Sequence, residues 1–321
     1  LTAQSEEDTM SSPSAAPLPP LLVIGGPTAT GKTALAVQLA RRFGGEIVGA
    51  DARQIYRGLD IGTGKAGPVE LQGVVHHLLD VALPDESFTV TQYAALATAA
   101  IAGIQRRGKL PILTGGAGFY IRAVVDGLLP PEVAPQPVLR AELERRWQTD
   151  RDAVLRELAA QDPVTAARID QQNPRRVIRA LEVILTTGLP YSEQQQLQPL
   201  PVRPLLLALT AERPVLYRLA DRRIDGMLAG GLEKEVRQLV GAGYDFGLPA
   251  FTAVGYRELA AYLGGSGSLE AVRRRMQQAT NAYQRRQLTW FRVDQRWHWL
   301  DVTKPELVTR AQAMVKAWLG G

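Results

Sequence analysis

A lysine and a threonine at the end of a glycine-spaced loop carry the most specific chemistry in this sequence. Gly26-Pro27-Thr28-Ala29-Thr30-Gly31-Lys32-Thr33 follows an apolar run at 21–24 and precedes the helical pattern Ala34, Leu35, Ala36, Val37, Leu39, Ala40. Strand, glycine loop and helix in this order make a phosphate-binding P-loop. The two glycines let successive N–H groups turn toward one anion, Lys32 adds a point charge, and the helix brings its positive end to the same place. The Thr33 hydroxyl is placed to ligate Mg²⁺. A plain glycine turn before a helix does not ask for Lys-Thr at this offset. The loop therefore specifies a polyphosphate with magnesium, without saying which polyphosphate or what is done to it.

Other residues could serve such a ligand. Asp51 closes a short apolar run at 46–50, where it reads either as a general base beside the P-loop or as the cap of a following helix. Gly115-Gly116-Ala117-Gly118, after the apolar run at 110–114, is either a loop that lets backbone approach a ligand or a tight turn. His76 and His77 are neighbours on an expected strand and point to opposite faces, so they do not ligate one ion easily. Arg175, Arg176 and Arg179, and the later set Arg273–Arg275, Arg285 and Arg286, are solvated faces or a nucleic-acid surface. Gln278, Asn281, Gln287, Trp290 and Phe291 among the later set favour the second reading. An ATPase also needs an apolar strand ending in an acid for Mg²⁺. Here the strand at 110–113 runs into Thr114 and glycines, with Asp80 as a substitute, which counts against simple ATP hydrolysis.

The elements that must hold these residues alternate strand and helix up to residue 129, which predicts an α/β fold with a doubly wound parallel sheet. Ligands of such sheets sit at the carboxyl ends of the strands, where the P-loop, Asp51 and residues 115–118 converge. A third strand is expected over 76–81. Four prolines between 130 and 137 mark a linker into a purely helical stretch, and a second proline-rich passage at 199–204 leads to another strand at 205–209. The organisation expected is a tail at 1–20, disordered and without signal-peptide features, then the first half of a P-loop core at 21–129. An all-helical insertion follows at 130–200, and 201–321 completes the core and adds a helical, basic C-terminal region. In the helix expected over 269–290, Val272, Met276, Ala279 and Tyr283 form the stripe that packs on the core.

The 321 residues contain no cysteine and only three histidines, which excludes disulfides and thiolate metal sites and leaves little for a zinc hydrolase. No apolar run reaches membrane-spanning length. The net charge is +5 although residues 1–20 carry Glu6, Glu7 and Asp8 and no basic residue, so the remainder is more basic still. A basic folded portion makes nucleic acid a plausible partner.

Together the motifs resemble the tRNA dimethylallyltransferases (tRNA isopentenyltransferases). The matching segments are Gly26-Pro-Thr-Ala-Thr-Gly-Lys-Thr33, Asp51-Ala-Arg-Gln-Ile-Tyr-Arg-Gly-Leu-Asp-Ile-Gly-Thr63, His76-His-Leu-Leu-Asp80 and Gly115-Gly-Ala-Gly-Phe-Tyr120. Asn173-Pro-Arg-Arg-Val-Ile-Arg-Ala-Leu-Glu182, Val254-Gly-Tyr-Arg257 and Arg285-Arg-Gln-Leu-Thr-Trp-Phe-Arg292 follow in the family's order. The resemblance implies that residues 26–33 hold the diphosphate of dimethylallyl diphosphate, with Mg²⁺ on Thr33. It implies an acceptor adenine just 3′ of the anticodon, flipped into a channel. Asp51 then accepts the proton of the exocyclic amine, and Lys32 and Arg223 neutralise the departing diphosphate. It places Asp51, Ala52, Arg53, Gln54, Ala117, Arg175, Arg176, Arg179, Gly255, Tyr256, Arg257, Arg285, Arg286, Gln287 and Trp290 at the tRNA, with the insertion gripping the anticodon stem-loop. A cytoplasmic monomer, not bound to membrane, is expected. The sequence departs from the family at Ala52 (usually Ser), Ala117 (usually Thr), Asn281 and Leu219 (usually Arg). Rival readings are an adenylate isopentenyltransferase using a free nucleotide, a P-loop nucleotide kinase, and a tRNA-binding paralogue with weakened catalysis.

Overall fold

The computed structural model describes residues 18–194 and 196–321; most of the tail expected at 1–20 lies outside the described residues. The strands are β1 (Pro20–Gly25), β2 (Gly45–Gly49), β3 (His76–His77), β4 (Leu110–Thr114), β5 (Leu128–Leu129), β6 (Gln196–Leu197), β7 (Arg203–Thr210) and β8 (His298–Asp301). In the first part of the chain the helices are α1 (Lys32–Phe43), α2 (Pro68–Leu71), α3 (Val90–Arg106) and α4 (Gly118–Val125). A helical stretch follows with α5 (Pro137–Thr149), α6 (Arg151–Gln161), α7 (Pro163–Arg168), α8 (Pro174–Thr187) and α9 (Tyr191–Gln194). The last part holds α10 (Arg213–Ala229), α11 (Leu232–Gly241), α12 (Tyr256–Leu263), α13 (Leu269–Arg292) and α14 (Leu307–Gly320).

Six strands form one parallel sheet in the order β3-β2-β4-β1-β7-β8. β1 is central and covered on both faces, which is why its residues 21–24 read as an unbroken apolar run. Leu22 and Ile24 face α1 and α14 through Leu35, Leu39, Ala311 and Val315. Leu21 and Val23 face α3, α4 and the end of α13 through Ile101, Ile121 and Phe291. The strand expected over 76–81 is shorter: only His76 and His77 pair, beside Ile47 and Val48, because Leu78 and Asp80 turn at positive φ.

The helical stretch has its own core, in which Leu143, Val154, Leu158, Val177 and Leu181 are wholly buried. It leaves and rejoins the sheet through the antiparallel pair β5–β6. A third cluster packs Ile55, Tyr56 and Leu59 against α10–α13 through Ile224, Val236, Leu259 and Met276. The buried stripe of α13 differs from the expected one: after Val272 and Met276 it runs through Thr280, Gln284, Gln287 and Phe291, while Tyr283 is exposed. The polar members are buried because this part of the helix meets loop backbone, which offers donors and acceptors instead of apolar surface.

Candidate donor and acceptor sites

At the carboxyl ends of β1, β2 and β4 lies a cavity of about 390 Å³ lined by Thr28, Gly31, Lys32, Thr33, Asp51 and Arg223 among others. The P-loop turns at Gly26 with φ +128°, where a Cβ would come within 2.5 Å of the Leu209 carbonyl oxygen. Thr30 Oγ1 and Lys32 Nζ both donate to the Pro27 carbonyl, at 2.8 and 2.7 Å. Ala29 is held at φ +66°, a conformation that costs a non-glycine residue about 1 kcal/mol or more. The loop is held in this shape by bonds within itself.

Two glutamines of α13 support it from behind. Gln287 accepts from Thr28 N–H at 2.9 Å and donates to Gly116 O at 2.9 Å, bolting the P-loop to the turn after β4. Gln284 donates to Thr28 O at 3.0 Å and to Leu216 O at 3.2 Å. Gln284 escaped the sequence reading, although its place in the 276–280–284–287–291 stripe was available as a signal: a polar residue on a buried face needs a polar partner.

No helix follows Asp51, so it caps a turn over 52–55 and not a helix. Its Oδ1 accepts from the N–H groups of Arg53 at 2.8 Å and Gln54 at 3.4 Å, as a cap does, and this fixes the carboxylate where it lines the cavity. Desolvation and the nearby Arg223 charge hold the Lys32 ammonium down to about 7, against the pull of Asp51 in the other direction. Burial also lowers Arg223, while Asp51 and Glu70 raise it. Two buried cations side by side are relieved by an anion between them.

Thr33, Asp51 and Glu70 bring hard oxygen donors to the cavity wall. This donor set suits Mg²⁺, which keeps several waters and takes one or two protein oxygens plus substrate phosphates. No group of three or more His, Cys, Asp or Glu able to hold a metal occurs among the described residues. Asp80 does not replace the acid of an ATPase: its carboxylate pairs with Lys65. β4, the strand beside β1, ends in a buried Thr114 whose hydroxyl donates to Ile24 O at 3.3 Å. His76 lines the cavity, whereas His77 Nε2 lies 2.8 Å from the buried Glu46 carboxylate, so the two do separate.

On the other side of the 115–118 turn lies a groove of about 810 Å³ between α7–α8 and α13. Gly115 and Gly116 line the cavity, Gly118 lines the groove, and Ala117 stands between with its N–H on Ala50 O at 3.1 Å. Arg122, Arg168, Arg176, Arg285, Arg286 and Trp290 line the groove. Arg122 and Arg168 were not singled out from the sequence, since they are scattered over α4 and α7 and converge only on folding.

Several residues placed at the tRNA by resemblance have partners within the protein. Arg179 binds the wholly buried Glu182 at 2.7 Å and Val133 O at 2.6 Å, tying α8 to the linker. Gln287 is buried with both ends of its amide committed to backbone. Tyr256 is fully buried and donates to Glu235, and Gly255 caps its helix at φ +111°. Arg257 holds the carbonyls of Phe246, Gly247 and Leu248 at 3.1–3.3 Å. Gln54 lines the P-loop cavity and donates to Thr63 O and Gly64 O. Arg53 is half-buried against its neighbour, with Nη1 on Ala52 O at 3.2 Å, and Ala52 packs on the sheet cluster. Arg175 and Arg176 are exposed.

A P-loop without the acidic strand end of a hydrolase, separated by the 115–118 turn from an arginine-lined groove, marks a P-loop protein with a basic surface beside its phosphate loop. Comparison with known proteins makes this specific. The family model described as IPP transferase matches residues 54–294, and the chain belongs to that family. It is 49% identical to the tRNA dimethylallyltransferase of Roseiflexus castenholzii, over 92% of this chain and 97% of that protein. Its fold is similar to the tRNA isopentenylpyrophosphate transferase of Bacillus halodurans, with a TM-score of 0.68, 37% identity and coverage of 92% of this chain and 95% of that one. It is also similar to a eukaryotic dimethylallyltransferase captured acting on tRNA, with a TM-score of 0.79, 27% identity and coverage of 94% and 80%.

Proposed function

We propose that this protein transfers the dimethylallyl group of dimethylallyl diphosphate to the exocyclic N6 amine of the adenine 3′-adjacent to the anticodon in tRNA, releasing diphosphate. The observation that carries this is the convergence of Lys32, Arg223 and Asp51 on one cavity that meets the basic groove at the 115–118 turn. The P-loop amides and Lys32 take the diphosphate. Arg223 reaches in from α10 and neutralises charge as the allylic C–O bond breaks. Asp51, fixed by two backbone N–H groups, accepts the proton that the amine loses on attack. Thr33 would hold Mg²⁺, which would supply further charge neutralisation.

The acceptor arrives from the groove. Flipping a base out of an anticodon loop costs a few kcal/mol at most, because the loop is already single-stranded. Arg176, Arg285 and Arg286 meet the phosphates around it, and Trp290 offers an aromatic face. One chain completes both sites, so a monomer suffices, and a tRNA acceptor implies a cytoplasmic place of action. Among the described residues no helix is long and apolar enough to cross a membrane.

Mass spectrometry of nucleosides from tRNA incubated with the protein, Mg²⁺ and dimethylallyl diphosphate tests the proposal. The expected product is N6-isopentenyladenosine in tRNA. Transfer to AMP only, or phosphate transfer from ATP without prenyl transfer, overturns it. Salt-dependent tRNA binding without turnover identifies a weakened paralogue, with Ala117 the first position to restore to Thr.

A further inference from the structure

The stretch Leu59-Asp60-Ile61-Gly62-Thr63 belongs to the motifs quoted above, yet the function proposed so far gives it nothing to do. Its backbone is gripped from one side by Glu235. That carboxylate, 8% exposed, accepts from the N–H groups of Asp60 at 3.0 Å, Ile61 at 2.7 Å and Gly62 at 3.1 Å, and from the Tyr256 hydroxyl at 2.7 Å. Three successive amides turned onto one anion form a nest, and charge-assisted bonds of this kind are stronger than neutral ones.

From its other side the same loop presents carbonyls to the donor cavity. Thr63 O accepts from Arg223 Nη2 at 2.8 Å and from Gln54 Nε2 at 3.1 Å, and Gly64 O accepts from Gln54 at 3.2 Å. Thr63 O is the one hydrogen-bond partner of Arg223 among the described residues. Gly64 sits at φ +59°, and a Cβ there would come within 2.3 Å of Arg223 Nη2, so the guanidinium lies directly on the loop. The direction of Arg223 is thus set by a carbonyl whose own position is set by Glu235. On α11 the neighbours of Glu235 are the buried Leu232, Val236 and Leu239. An apolar residue in its place would pack there but would leave three amides unpaired.

We infer that Glu235 is a positioning residue for the donor site, with Tyr256 as its partner: it fixes the 60–64 loop and, through Thr63 O, aims Arg223 at the diphosphate. The inference rests on Arg223 meeting the diphosphate. It also gives the 254–257 motif a function away from the RNA.

The test is a double-mutant cycle on the full chain, Glu235→Gln, Arg223→Ala and both together. It reads inorganic pyrophosphate binding with Mg²⁺ by calorimetry, single-turnover prenyl transfer, and tRNA affinity. Glu235→Gln is expected to weaken pyrophosphate about tenfold and slow transfer by a similar or larger factor, with tRNA affinity unchanged. In the Arg223→Ala background it is expected to change neither donor readout. Additive effects, or unaltered pyrophosphate affinity in Glu235→Gln, overturn the inference. If Glu235→Gln does not fold, Tyr256→Phe removes one of the four bonds and is expected to act in the same direction, about threefold, only while Arg223 is present. An equal effect in both backgrounds overturns it. Wild-type pyrophosphate binding by Arg223→Ala alone refutes the donor role of Arg223, and this outcome is distinct from an additive cycle.

Discussion

The cavity and the groove assigned to the two substrates are built by opposite means. In the cavity the groups proposed to meet phosphate are main-chain amides, shaped by Gly26, the two bonds to Pro27 O and the glutamines of α13. In the groove the groups proposed to meet RNA are arginine side chains, several of them exposed, on the surfaces of α8 and α13. A backbone cradle is organised in advance and loses little entropy when it binds. Long side chains must be ordered by the ligand, and their attraction is screened by salt. The difference matches the demands of the two ligands: a small diphosphate must be held to a fraction of an ångström, whereas a nucleic-acid loop needs charge and tolerance.

Substitutions can break this contrast. Asp51→Asn is expected to slow transfer by about a thousandfold while tRNA binds as before; lost tRNA affinity in a filter-binding assay would instead make Asp51 part of the groove. Gln287→Met strands Thr28 N–H and Gly116 O, and is expected to cost about 2 kcal/mol in urea unfolding and to weaken pyrophosphate, with tRNA affinity little changed. The cavity should also respond to pH. Lys32 is held down to about 7 in the free protein, and a bound diphosphate restores its charge, so binding takes up a proton above that value. The Lys32 contribution to pyrophosphate affinity should therefore be flat below pH 7 and fall by up to about tenfold per unit above it, and comparison with Lys32→Ala isolates it from the titration of pyrophosphate itself. The smallest effect is expected in the groove. Arg176→Ala should weaken tRNA a few-fold and reduce the slope of log K against log salt by about one, leaving pyrophosphate affinity unchanged.

What the sequence disclosed follows the same division. Residues 26–33 were readable because a loop made of backbone needs glycines and a lysine at fixed offsets. The central strands were readable because β1 and β4 are buried on both faces. β8 escaped, since His298-Trp299-Leu300-Asp301 is a four-residue edge strand with polar ends. The register of α13 was misjudged because apolar periodicity assumes an apolar neighbour, whereas Gln284 and Gln287 pack on loop carbonyls and amides. Arg179 looked like a surface charge for the same reason: a spacing rule does not show that Glu182 stands opposite. Glu235 left a fainter trace, as an acid between Leu232, Val236 and Leu239 on an otherwise apolar helix face.

The β5–β6 pair sets Leu128 beside Leu197 and Leu129 beside Gln196. The two ends of the helical stretch therefore meet about one strand spacing apart, roughly 5 Å. Such a module can be cut out and bridged by a short turn, or replaced by another whose ends meet in the same way, without rethreading the sheet. On the proposed function, the P-loop core would keep its hold on the diphosphate while the acceptor it serves is changed, and the paired strands would act as a socket.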